Sequence, residues 1–316
     1  TTWTNVAPNM PGLPSQTHIT RIVASHADAG TVWAAGDNHR NDDFTPYIYS
    51  SSDFGQSWRL ITNGLPDNWS VNALQQHPRA ADLLFTGTEH SVYFSVNAGA
   101  TWLALKQNLP PVAVDDIQIQ ARENDLVIGT HGRGIWIMED ITPLEEMSQA
   151  VFTSNAHLFS TQKATVYNQA RPQGWTPGAF EVSNPPMGAR IRYWLGQDLA
   201  SDAASEDTTS DESQPGHANI TILNADGDVV RELEGDGERG LNEVIWDLRY
   251  APPAEAPDGG SSFRGTAQAA PKVIPGIYTA RLHAGGETLD TSVEVRLDPR
   301  VNISRRELIA RQDALM

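Results

Sequence analysis

The chain has 316 residues, 39% of them hydrophobic, no cysteine, and a formal net charge of −17. That length is a soft prior for two domains, and no apolar run approaches the roughly eighteen residues of a membrane span. The acidic balance argues against binding nucleic acid or anionic membranes, which takes clustered Lys and Arg. The lack of cysteine removes disulfides, thiolate nucleophiles and Cys-metal sites together. Thr1-Thr2-Trp3-Thr4 shows neither a basic start nor an apolar signal core, and no initiator Met stands before it. Position 1 is therefore expected to be a processing or sequencing boundary.

Repeats organise the first half. Ser51-Ser52-Asp53-Phe54-Gly55-Gln56-Ser57-Trp58 fits the pattern Ser-x-Asp-x-Gly-x-Ser/Thr-Trp. Ser95-Val96-Asn97-Ala98-Gly99-Ala100-Thr101-Trp102 repeats it with Asn in place of Asp, and Thr2-Trp3 looks like the end of an earlier copy. Each Trp leads into Leu-Pro (Leu13-Pro14, Leu65-Pro66, Leu109-Pro110) and then three short strand candidates, the second ending near Gly36, Gly87 or Gly129. A repeat of about forty residues holding several short strands is the pattern of propeller blades. In the box, Asp53 or Asn97 is placed to accept backbone N–H groups, and Gly55 or Gly99 supplies a left-handed residue. Trp58 and Trp102 are expected to bury their rings between blades. This reading makes Ser51, Asp53, Gly55, Trp58, Ser95, Asn97, Gly99 and Trp102 structural, and no catalytic role is expected for Asp53.

These boxes resemble the Asp box, or BNR repeat, of sialidase-type and sortilin-type propellers. Residues 126–144, LVIGTHGRGIWIMEDITPL, resemble the last blade of large bacterial exported proteins with sortilin-like propellers, often called glycosyl hydrolases on propeller similarity alone. The resemblance implies that the propeller ends here and that a β-sandwich follows. It also implies an extracellular or periplasmic protein of which this is a C-terminal part. Only about three blades are present, fewer than a ring needs. The remaining blades are therefore expected on another chain or a second copy.

A short amphipathic linker is expected over 146–156. Beyond it, six strand candidates with apolar–polar alternation read as half-buried antiparallel strands, with a hairpin turn at Asn224-Ala225-Asp226-Gly227. The acidic run 201–214 reads as a solvated loop, and the Pro/Gly-rich stretch 251–271 as a long loop. GLNEVIWDLRY followed by PGIYTARL resembles the C-terminal sandwich of the same bacterial proteins and the small sandwich of flagellar hook-capping proteins. The fold class expected is all-β. A partial propeller of about three blades spans 1–145, and an immunoglobulin- or fibronectin-like sandwich spans 157–300. A truncated helical segment over 301–316 starts at Ser304, with Glu307 completing a capping box.

The turns after the second strand of each repeat fall on one propeller face. They carry Asp37, His39 and Arg40, then Glu89 and His90, then His131 and Arg133. Such groups suit a ligand-binding mouth for a glycan or peptide, or a metal. The plainer alternative is solvated turn residues, with Arg133 pairing a nearby carboxylate. No metal or cofactor is expected. The arginine triad, Tyr–Glu nucleophile pair and Asp acid of sialidases are not found. Asp42, Asp43 and Glu89 can be offered for an endoglucanase-like pair, but so can any pair of surface acids. Asp226-Gly227-Asp228 lacks the ligand series of a calcium loop, and Trp69 and Trp175 read as core more readily than as sugar platforms. Two functions compete: a non-catalytic recognition or scaffold module, and a fragment of a glycoside hydrolase.

Overall fold

The computed structural model describes residues 2–106, 108–167, 186–200, 216–251 and 270–314. The acidic run 201–214, most of the Pro/Gly-rich stretch 251–271, and Trp175 lie outside the described residues. Among the described residues the chain is all-β with three short α-helices, and it divides into two compact units, Thr1–Ser148 and Gln149–Met316.

Unit 1 is built from three consecutive antiparallel meanders. The first sheet orders β1 (His18–Ala24), β2 (Val32–Asn38), β3 (Asp43–Ser51) and β4 (Arg59–Leu60). The second repeats it with β5 (Val71–Gln76), β6 (Leu84–Thr88), β7 (Val92–Ser95) and β8 (Leu103–Ala104). The third has three strands only: β9 (Val114–Gln120), β10 (Asp125–Thr130) and β11 (Ile135–Met138). After β11 the chain does not return as a fourth strand. Asp140 takes a left-handed conformation (φ 52°) and helix α1 (Thr142–Glu146) follows, with Pro143 in its first turn. Pro has no N–H to offer a sheet but fits the start of a helix.

The sheets stack through shared apolar clusters. Trp33, Ile48 and Ile61 of the first repeat pack with Leu74, Leu84, Tyr93 and Trp102 of the second. Phe85, Val92 and Phe94 of the second pack with Ile117, Leu126 and Ile128 of the third. The middle sheet is covered on both faces, so β6 and β7 are buried throughout instead of alternating. The third sheet has one covered face, and Ile135 (74% exposed) and Ile137 (60%) of β11 lie open. Close approach of sheets two and three requires Gly87, because a Cβ there would stand 2.6 Å from Val114 Cγ1.

The two box turns are near copies. Ser51 Oγ accepts from Gly55 N (2.9 Å) and donates to Asp53 Oδ1 (2.8 Å), while Ser57 donates through N and Oγ to the two Asp53 oxygens (2.9 and 2.6 Å). In the second turn Ser95 Oγ accepts from Gly99 N (2.9 Å) and donates to Asn97 Oδ1 (2.8 Å). Asn97 also accepts from Thr101 N and donates to Thr101 Oγ1, both at 2.9 Å. Two successive residues are left-handed in each: Phe54 and Gly55, then Ala98 and Gly99. The tryptophans differ. Trp102 is buried between the first two sheets and donates to the Ile61 carbonyl (2.7 Å). Trp58 is half-buried against Met10, Tyr47 and Tyr49 on the outer face of the first sheet, and its Nε1 donates only to Gly55 of its own turn. Trp3 is 95% exposed. Among the described residues only one of the three tryptophans therefore packs between two sheets.

Unit 2 begins with helix α2 (Gln149–Thr153), within the stretch read from sequence as a linker. Two sheets follow. One orders β12 (Ala156–Leu158), β14 (Ala189–Leu195) and β17 (Gly240–Trp246). The other orders β13 (Ala164–Val166), β19 (Glu287–Leu297), β18 (Gly276–Ala284), β15 (His217–Leu223) and β16 (Val229–Asp236). Ile191, Tyr193 and Trp246 of the first sheet share one core with Ile220, Ile222, Tyr278, Leu282 and Val293 of the second. The pairing is antiparallel except between β13 and β19, which run parallel. Helix α3 (Arg305–Asp313) starts at Ser304 with a complete capping box, and Arg305 ties it down by donating to the Pro275 carbonyl (2.9 Å).

Candidate functional site

One end of unit 1 gathers the turns 39–42, 89–91 and 131–134, each joining the second and third strands of its sheet. The box turns lie at the opposite end, where Phe54 N bonds Gly30 O and Ala98 N bonds Asp82 O across the first-to-second strand connections. The sequence-predicted ligand candidates therefore share one end, away from the boxes.

Strand pairing corrects their alignment. Ala35, Gly87 and Gly129 occupy equivalent positions, opposite Arg21, Ala73 and Asp116. Gly36 is equivalent to Thr88 and Thr130, one step later than the sequence reading placed it. The residues that coincide at the turn entrance are Asp37, Glu89 and His131, so His39, His90 and His131 occupy equivalent turns but not equivalent positions. The pairing also shows a feature that the sequence reading missed. Each of the three sheets of unit 1 shifts register at the same place on its first strand, next to Thr20, Asn72 and Asp115. A bulge re-aims the side chain at the irregularity. Asn72 Nδ2 donates to Glu89 Oε1 (3.3 Å), and Asp115 Oδ2 meets His131 Nδ1 (3.2 Å). Thr20 Oγ1 instead donates to the Val71 carbonyl of the next sheet (3.2 Å).

The first turn is a closed polar knot. His39 donates to Asp37 through its backbone N (3.0 Å) and meets it with its ring. Asn38 Nδ2 and Tyr47 OH donate to Asp43 Oδ2 (2.7 and 2.8 Å). The Asn38 hydrogen bond, with those from Thr45 and Tyr47, holds the Asp43 carboxyl down at about 2, which removes it as a proton donor at neutral pH. Asp42 is a left-handed, exposed residue (φ 58°), and Arg40 beside it is exposed too. In the second turn the His90 ring tilts over Trp69, centroids 4.6 Å apart, and Trp69 leans on Tyr93. In the third, His131 and Arg133 are exposed, and the Arg133 carbonyl accepts from Trp136 Nε1 (3.1 Å).

An ion pair between Arg21 of β1 and Asp116 of β9 spans the first strands of the first and third sheets. It was not legible as a pair, although both residues sit at equivalent points of the repeat. His39, His90 and His131 each engage a different residue of their own repeat: Asp37, Trp69 and Asp115. No group of three or more His, Asp or Glu side chains able to share a metal ion occurs among the described residues. Burial pushes the Asp125 carboxyl up, but Asp125 sits at the box end, accepting from Asp140 N (2.9 Å).

No protein-family profile matches this sequence, and no curated protein does. Among solved structures, a GH74 enzyme from Niastella koreensis aligns at 11% identity and TM-score 0.33, covering 73% of this chain and 38% of that one. A GH74 xyloglucanase from Xanthomonas campestris aligns at 11% identity and TM-score 0.33, covering 87% and 47%. YCF48 from Cyanidioschyzon merolae aligns at 12% identity and TM-score 0.25, covering 93% and 88%. The chain spans less than half the length of either GH74 enzyme.

Proposed function

We propose that unit 1 is part of an Asp-box propeller and that the end bearing Asp37, Glu89 and His131 recognises a polar, extended ligand, a glycan or a peptide, without turning it over. Unit 2 is read as the accompanying immunoglobulin-like sandwich, and the protein as exported. No helix among the described residues is long and apolar enough to cross a membrane. The observation that carries the recognition reading is that, among the described residues, five carboxylates at this end are already engaged and only the exposed Asp42 of the first turn is not. Asp37 is held by His39, Asp43 by Asn38 and Tyr47, Glu89 by Asn72, Asp115 by His131, and Asp116 by Arg21. A glycosidase instead needs one carboxyl kept protonated beside another that is free to attack or to activate water. The groups here suit hydrogen bonding along a polar chain, with Trp69 and His90 as a stacking surface.

Affinity for glycan and peptide arrays, followed by direct titration, tests this reading. Asp116→Ala and His131→Ala are expected to weaken the best ligand about tenfold, the worth of one charged hydrogen bond. Turnover of a fluorogenic glycoside that disappears in Glu89→Gln would establish the hydrolase alternative instead. We also propose that further blades, on another segment or a second copy, cover the open β11 flank with Ile135 and Ile137. Sedimentation of the chain as a well-folded, dispersed monomer would contradict that.

A further inference from the structure

Unit 2 holds a cleft of about 390 Å³ between helix α3 and the ends of β13 and β19. Arg249, Lys272, Arg311 and Gln312 line it, with an apolar wall that includes Val273 and Leu308. No carboxylate lines it among the described residues, although the chain carries 39 Asp and Glu against 22 Lys and Arg. A volume of this size matches small-molecule pockets.

The cations are held together at a cost. Arg249 and Lys272 stand directly opposite one another in an antiparallel bridge, and like charges so placed repel. Arg249 is anchored to the Ala270 carbonyl (2.6 Å) and Lys272 to the Tyr167 carbonyl (2.7 Å), which fixes their heads at the cleft. Burial, then Arg249 and Arg311, lowers the Lys272 ammonium below its ordinary value. Gln312 Nε2 donates to Tyr250 OH (2.7 Å), while its Oε1 is buried with no partner among the described residues. Turning the amide over lets the Tyr250 hydroxyl donate to Oε1 and aims the NH₂ group the other way, as a donor; the two orientations are assigned from such networks.

We propose that this cleft is a binding site for an organic carboxylate with a short apolar body, its charge met by Arg249, Lys272 and Arg311 and its body resting on Val273 and Leu308. The guanidinium forks of Arg249 and Arg311 match a carboxylate bidentately. The apolar wall selects an organic anion over an inorganic one. The carboxylate can come from a free acid or from an acidic side chain of a peptide.

Calorimetric titration of the full chain distinguishes these sources. The probes are glutarate, a blocked Glu-Glu dipeptide, inorganic phosphate and the neutral glutaramide. Glutarate or the dipeptide is expected to bind, and whichever binds more tightly identifies the source. Arg311→Glu, at an exposed helix position whose side chain makes no hydrogen bond among the described residues, is expected to weaken binding at least tenfold. Lys272→Met gives a second reading, with circular dichroism confirming that each variant is folded. Glutaramide is expected not to bind. The proposal is overturned if neither carboxylate probe binds at 10 mM (about 2.7 kcal/mol of binding free energy), if phosphate binds as tightly as the better of them, or if both variants bind as the parent does.

Discussion

Trp58 and Trp102 are the same residue of the same motif, yet their replacement should cost different amounts. Trp102 is 2% exposed, fills the space between the first two sheets, and satisfies the Ile61 carbonyl. Trp102→Ala removes a fully buried aromatic and leaves a cavity, a loss of about 3–5 kcal/mol. Trp102→Phe keeps most of the apolar contact but orphans the Ile61 carbonyl, at a cost of about 1–3 kcal/mol. Trp58 is half-buried, and its indole N–H bonds only within its own turn. Trp58→Ala should therefore cost about 1–2 kcal/mol. Two units need not unfold together, and a single global midpoint would then mix them. Native-state hydrogen exchange of the β2 and β7 amides in the full chain reads unit 1 directly. The expected order of lost protection is Trp102→Ala, then Trp102→Phe, then Trp58→Ala. Equal losses for the two alanine variants, or a larger one at Trp58, would refute the inference that inter-sheet burial, not the turn, sets the worth of this residue.

Two further predictions concern pH. Hydrogen bonds from Ser57 and Ser51 hold the Asp53 carboxyl at about 2, below the unfolded value of about 3.9. A depressed acid stabilises the fold fully above the unfolded value and loses that contribution as pH falls through about 2. Asp53→Asn, the residue the second turn already uses, should keep the turn and flatten the acid dependence of Ser57 amide protection between about pH 4 and 2; an unchanged slope would show that the carboxylate is not its source. His77 is buried, with Nδ1 accepting from Arg79 N and Ala80 N (3.2 and 3.0 Å) and Nε2 facing Asn124 Oδ1 (2.9 Å). That geometry fits the neutral Nε2–H tautomer and leaves no room for a proton on Nδ1. Burial lowers its pKa, so the unfolded state takes up protons first and unit 1 should lose stability as pH falls below about 6.5. A His77 titration by NMR at or above that value would contradict this.

The parts of the fold that were legible follow from local chemistry. Strand alternation, the left-handed glycines at 55 and 99, and the Ser304–Glu307 capping box are each fixed by neighbours within a few residues. The parts that were not depend on stacking. Nothing local distinguishes Trp58 from Trp102, because the difference is whether another sheet covers the outer face. The glycines near the second strand ends misaligned the turns by one residue for a similar reason. Gly87 is required by the approach of Val114 from the next sheet, whereas Gly36 meets Thr17 near the entrance to its own sheet.

The same limit applies to the candidate site. Counting histidines in equivalent turns singled out one end of the sheets, where the register aligns Asp37, Glu89 and His131 and not the three histidines. The groups that face one another are set by the bulge beside Thr20, Asn72 and Asp115, and a bulge has no sequence signal beyond the residue it inserts. Once the bulge is placed, Asn72–Glu89 and Asp115–His131 become the same contact made twice, by a bulge residue reaching the entrance of its own turn. In the first sheet Thr20 is too short to make that contact and bonds the next sheet instead, leaving Asp37 to take His39. Each repeat thus satisfies its turn with different chemistry on one backbone plan. Under the proposed recognition reading, contacts that differ from sheet to sheet on a constant frame would suit an irregular polar chain, whereas the alternative hydrolase reading calls for a fixed pair of carboxylates.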